Sequence, residues 1–155
     1  MGKIAAVMVF GFCFLYGFDM TPQLVQAIKD GNESFVASNI KTVEDANAKN
    51  ENGKSVLMLA VWEGRENIVR ALLDKGADIN ATDKSGKSAY MLAIWRENLK
   101  IVKLLESKGA DKNAKEKDGL GALDIAHLSG NGEIIDYLEK GPSQKVPVLS
   151  PLPQP

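Results

Sequence analysis

The dipeptide Asn-Ala recurs at Asn47-Ala48, Asn80-Ala81 and Asn113-Ala114, each time after an interval of 33 residues. No other feature limits the fold as strongly, because a supersecondary unit repeated at a fixed period buries its apolar face against its own neighbours. The same offset relates Gly53, Gly86 and Gly119; Ala27, Ala60, Ala93 and Ala126; and Gly31, Gly64 and Gly130. Four units in one register result, at about 20–46, 47–79, 80–112 and 113–141.

Within each unit the apolar spacing predicts two short helices. In the second, Leu57, Ala60 and Val61 share one helical face, Gly64 breaks the chain, and Ile68, Val69, Leu72 and Leu73 form the next stripe up to Gly76. Ser55 and Ser88 stand where an N-cap hydroxyl is wanted, and Thr21 followed by Pro22 starts the first unit. Helices of about ten residues are marginal alone in water, so each pair has to lean on the next. The expected fold is an all-α solenoid.

The unit ends in Gly76-Ala77-Asp78-Ile79-Asn80-Ala81 and again in Gly109-Ala110-Asp111-Lys112-Asn113-Ala114, with Asp83-Lys84-Ser85-Gly86 in the intervening turn and Ile-Val-x-x-Leu in the second helix. This pattern resembles the ankyrin repeat over about residues 20–141. The resemblance implies helix-turn-helix units joined by hairpin-like turns, with a partner-facing first-helix surface. The family's Thr-Pro-Leu-His opening is replaced here by Ser55-Val56-Leu57-Met58, Ser88-Ala89-Tyr90-Met91 and Gly121-Ala122-Leu123-Asp124, which brings methionine into the core. Glu97 stands where the second unit has Gly64, and Asn98 is the residue expected to supply the left-handed turn. The first unit, with Val43-Glu44-Asp45 in place of Gly-Ala-Asp, and the last unit are expected to act as caps.

The two ends are unlike the middle. Lys3 precedes an uncharged run from Ile4 to Phe18, closed by Asp19. At 15 residues the run is shorter than the about 20 that a membrane-crossing helix needs. Residues 1–18 are therefore expected to be a signal peptide cleaved near Gly17, the alternative being an uncleaved anchor over residues 4–18. Cys13 is one more apolar residue of that run. Residues 142–155 form a Pro-rich tail, expected to be extended and without the PxxP spacing that aromatic grooves read. The leader and the short four-unit stack together suggest an exported bacterial member of the family, periplasmic or secreted, or membrane-anchored if residues 4–18 stay in place.

Charge and composition then narrow the function. With 19 basic against 20 acidic residues, no global positive field holds nucleic acid or an anionic bilayer. A single His and a single Cys leave no constellation for zinc or nucleophilic catalysis, and no P-loop or GxGxxG is present. His127 is expected to pair locally with Asp124 on one helix face. Glu116 and Asp118, in a lysine-rich hairpin, are expected to be a solvated turn. No catalytic, cofactor or metal residue is assigned. A non-catalytic, monomeric protein-binding module is expected, with no nucleic-acid partner and no membrane partner after cleavage.

A fixed period places equivalent side chains in a row, which aligns Trp62 with Trp95 as one aromatic strip. The resemblance makes this surface partner-facing. It nominates Glu63 and Arg96 beside the tryptophans, and Glu51, Asn52, Lys54, Lys84, Ser85, Lys87 and Lys117 at the hairpin tips.

Overall fold

The computed structural model describes residues 20–141. The leader, Cys13 and the Pro-rich tail lie outside the described residues. Two helices of seven to nine residues form in every unit. The first unit holds α1 (Pro22–Asp30), α2 (Glu33–Asn39) and a single extra turn, α3 (Val43–Ala46). The second holds α4 (Val56–Trp62) and α5 (Glu66–Asp74), and the third α6 (Ala89–Trp95) and α7 (Leu99–Ser107). The fourth holds α8 (Ala122–Ser129) and α9 (Gly132–Lys140).

Local chemistry starts three of the first helices where the sequence indicates. Thr21, Ser55 and Ser88 accept hydrogen bonds from the amides of Leu24, Met58 and Met91, so one otherwise unpaired N–H at each helix start is satisfied. Asn32, Asn98 and Asn131 do the same for three of the four second helices, through the amides of Phe35, Ile101 and Ile134, while α5 starts after Arg65 without a side-chain cap. The first helices α1, α4, α6 and α8 pack in a row, and α2, α5 and α7 form a second row behind them. One continuous core runs between the rows, with Leu24, Ile28, Leu57, Leu72, Ile94, Leu105 and Ile125 among its members. Met58 and Met91 are buried in it, as their place in the repeat suggested. With helices of seven to nine residues in these rows, well below the about 12–15 needed to persist alone, stability lies in this interlocking and not in any single helix.

Two of the hairpin-like turns are closed by the isolated bridges Lys49 to Ser55 and Thr82 to Ser88. Successive hairpins also bond to one another: the Lys84 amide donates to the Asn52 carbonyl at 3.1 Å, and the Lys117 amide to the Ser85 carbonyl at 3.0 Å. Asn47 and Asn80 carry the stacking further. Their side-chain oxygens accept from the amides of Asp78 at 2.7 Å and Asp111 at 2.9 Å, 31 residues on in each case.

Two local expectations are corrected. Glu97 itself takes the left-handed conformation, with φ 56°, while Asn98 stays at φ −98° and caps α7. Asn98 is drawn to the cap because its carboxamide satisfies the Ile101 amide there, and the preceding residue has to absorb the turn. His127 does not pair with Asp124. That carboxylate bonds the Gly121 amide at 2.9 Å at the start of α8, where no cap hydroxyl exists, and His127 Nε2 lies 3.8 Å from Glu139 on α9.

Candidate functional site

The repeat register fixes what lines the first-helix face. Trp62 ends α4, Trp95 ends α6, and the equivalent residue of the last unit is Leu128 in α8. Trp95 is 48% exposed and Leu128 62%, whereas Trp62 is half-buried. Lys54 and Lys87 occupy equivalent positions at the base of the hairpins, with Leu120 third in that series. A groove of about 410 Å³ collects Lys54, Trp62, Ser85, Lys87 and Trp95 of the nominated residues, together with Leu92, Glu116, Leu120, Ile125 and Leu128. A second groove of about 280 Å³ shares Lys54, Trp62 and Leu92 with it and continues past Glu63 to Met20. The two make one trough along the face.

Cations cover the indoles. The Arg96 guanidinium lies 4.8 Å from the Trp62 ring centre and Lys54 Nζ 5.7 Å from it, while Lys87 Nζ stands 6.0 Å from the Trp95 ring. These are distances at which a ring's negative face attracts a positive charge. Both tryptophans line the same groove, but with Arg96 over Trp62 the strip alternates rings and charges. Glu51, Asn52, Lys84 and Lys117 are exposed at the hairpin tips and line neither groove.

Glu116 is the residue that sequence reasoning placed wrongly. It is 7% exposed, not part of a solvated turn, and its carboxylate lies 3.5 Å from Lys87 Nζ. The register explains the difference. Asn50 and Asp83, its equivalents, fold back so that one side-chain oxygen accepts two amides of its own hairpin, those of Asn52 and Lys54 or of Ser85 and Lys87. Glu116 is one methylene longer, makes no such bond, and is buried against the preceding unit instead. That substitution within the series Asn50, Asp83, Glu116 was the available signal. Asp118 is exposed.

A further concavity, of about 490 Å³, opens elsewhere, lined by Tyr90, Glu106, Lys112, Asp124, Tyr137 and neighbours. Here Glu106 of α7 accepts a 2.6 Å hydrogen bond at each carboxylate oxygen, from Tyr90 of α6 and from Tyr137 of α9. Burial, aided by the Glu106 carboxylate, raises both phenols, Tyr137 to about 12 and Tyr90 further. Phenols held so firmly protonated tie helices together and donate no proton near neutral pH. No signal in the period marks this trio, since its members come from three different positions of the repeat.

Among the described residues no group of three or more His, Cys, Asp or Glu side chains is placed to hold a metal ion, and no helix is long and apolar enough to cross a membrane. A protein-family model described as ankyrin repeats (3 copies) matches residues 24–116. No curated protein matches the chain.

Proposed function

The chain belongs to the ankyrin-repeat family, whose repeats are generally protein-interaction modules, and from that premise we propose that it is a non-catalytic binding module that takes a protein partner on its first-helix and hairpin face. The observation that carries this is the trough along α4, α6 and α8, in which Trp62 and Trp95 line one groove with Leu128 exposed beside them. Large aromatics in a concavity, ringed by polar groups, are the usual anchors of protein interfaces. The module works as a monomer in an exported location, periplasmic or extracellular. Support for export comes from the leader-like residues 1–18, and an uncleaved anchor over residues 4–18 is the competing arrangement.

Affinity capture from the native extract, comparing the wild type with Trp62→Ala/Trp95→Ala, tests the face. The double variant is expected to fold, judged by its helical circular dichroism, and to lose the partner. A folded variant that keeps every partner overturns the assignment. The mass of the native protein tests export: a species starting near Phe18 and released without detergent supports it, and an intact amino terminus extracted only by detergent supports the anchor.

A further inference from the structure

On the reading that the first-helix face binds protein, we propose that its trough selects an extended acidic and apolar segment, with a partner Asp or Glu carboxylate seated between Lys54 and Arg96 at the Trp62 ring. Lys54 and Arg96 come from different units and converge on a single indole, at 5.7 and 4.8 Å from its centre. Both are exposed, and neither has a carboxylate within ion-pair distance among the described residues. Lys87, the repeat equivalent of Lys54, differs, because Glu116 lies 3.5 Å from it. Two positive charges held near one ring without a carboxylate partner leave a positive potential there, and an entering carboxylate is attracted by both. The ring also holds the cations in place beforehand, which lowers the ordering cost when the anion arrives.

Of the trough's own acids, Glu63 lines the second groove beside Lys54 and Trp62 but forms no ion pair with Lys54 or Arg96 among the described residues. One oxygen of Asp83 accepts the amides of Ser85 and Lys87, and Glu116 is buried beside Lys87. Two unpaired positive charges therefore remain at the Trp62 end, while Trp95 and Leu128 leave apolar surface exposed at the other. That polarity fits a chain segment that presents a carboxylate and then an aliphatic or aromatic side chain. The two grooves share Lys54, Trp62 and Leu92, so the trough runs across units, as an extended segment requires and a single inserted side chain does not.

The test is a peptide array that displays segments alternating Asp or Glu with Leu or Phe, probed with the full-length protein. Matched arrays carry Asn and Gln, or Lys and Arg, in place of the acids. Acidic segments are expected to bind about tenfold more tightly than their amide counterparts, a preference that fades as salt rises and disappears in K54Q/R96Q. Equal binding of acid and amide, a preference for the basic array, or no binding overturns the proposal. So does binding of phosphatidylserine vesicles that K54Q/R96Q abolishes in the absence of any peptide preference, which assigns the cations to a membrane surface. Should K54Q/R96Q misfold, the wild-type comparison of acid with amide across salt decides alone. Native capture separates the two levels: a partner lost by Trp62→Ala/Trp95→Ala and kept by a folded K54Q/R96Q removes this inference and leaves the binding face standing, and a partner kept by both removes both.

Discussion

The Tyr90 hydroxyl donates a 2.6 Å hydrogen bond to the Glu106 carboxylate, from a side chain that is only 1% exposed. Through the other oxygen the same carboxylate holds Tyr137, so one acid ties the third unit to the last. A bond from a hydroxyl to a charged acceptor is worth about 1.5–3 kcal/mol when buried, less where water reaches the acceptor as it does Glu106. Tyr90→Phe removes the donor without changing the ring's packing. Urea denaturation is expected to show a loss of about 1–2 kcal/mol.

The same trio makes the stack sensitive to alkali. Burial and the neighbouring carboxylate raise both phenols, Tyr137 from 10.0 to about 12 and Tyr90 beyond it. The folded state then holds these protons more tightly than the unfolded chain. Their contribution is complete below the unfolded phenol value of about 10, and is lost as pH climbs from there through the folded values. Denaturation midpoints measured from about pH 8 to pH 12 are expected to fall above about pH 10. Tyr90→Phe, which lacks the more strongly raised phenol, is expected to show a shallower fall than the wild type.

Asn47 joins the first unit to the second. Its carboxamide oxygen accepts from the Asp78 amide at 2.7 Å, and its nitrogen donates to the carbonyls of Val43 at 2.8 Å and Gly76 at 3.1 Å. Asn113 occupies the same place in the repeat, and its side chain makes no hydrogen bond among the described residues. Asn47→Ala is therefore expected to cost about 1–3 kcal/mol and to speed hydrogen exchange at the Asp78 amide. Asn113→Ala is expected to stay within about 0.5 kcal/mol of the wild type.

Gly64 and Glu97 solve one backbone problem in two ways. Gly64 sits at φ 69° and Glu97 at φ 56°. A Cβ at position 64 meets only Asn98 Nδ2, at an ordinary 3.6 Å, so Gly64→Ala isolates the cost of a left-handed L-residue, about 1–2 kcal/mol. Glu97→Gly is the converse. Relief of that strain outweighs the greater freedom of glycine in the unfolded chain, and the thermal midpoint is expected to rise by an amount equivalent to about 0.5 kcal/mol.

These contrasts show which parts of the molecule the sequence carries openly. Asn47, Asn80, Ser55 and Ser88 recur at a fixed spacing, so their repetition marks the units and the helix starts, while the bonds that Asn47 and Asn80 make along the stack are seen only in the fold. Glu106 and Glu116 are different, since each takes its role from a partner at a position where its repeat equivalents do something else. Glu116 is the sharpest case, because only comparison with Asn50 and Asp83 shows that its extra methylene releases it from the turn. The tryptophans were legible as a row, but Arg96 over Trp62 depends on the spacing between units. Periodicity reveals what is equivalent, and the groove's chemistry lies in what is not.

Lys87 is expected to matter more to stability than any other lysine of the hairpins, although it is partly exposed. The Glu116 side chain beside it retains 5% of its exposure, and the Oε2 atom facing Lys87 has no hydrogen-bond donor among the described residues. Such a carboxylate has lost most of its hydration, and the ammonium at 3.5 Å is its main compensation. Lys87→Met leaves the charge buried and unpaired, with an expected loss of about 2–3 kcal/mol in urea denaturation. Lys84→Met, at an exposed tip residue without an ion pair, is expected to change stability by less than about 0.5 kcal/mol. Glu116→Gln in the Lys87→Met background removes the uncompensated charge and is expected to recover at least half of the loss. Two single variants whose effects simply add show that Lys87 and Glu116 act independently, and the pair then has no part in holding the groove's second cation in place.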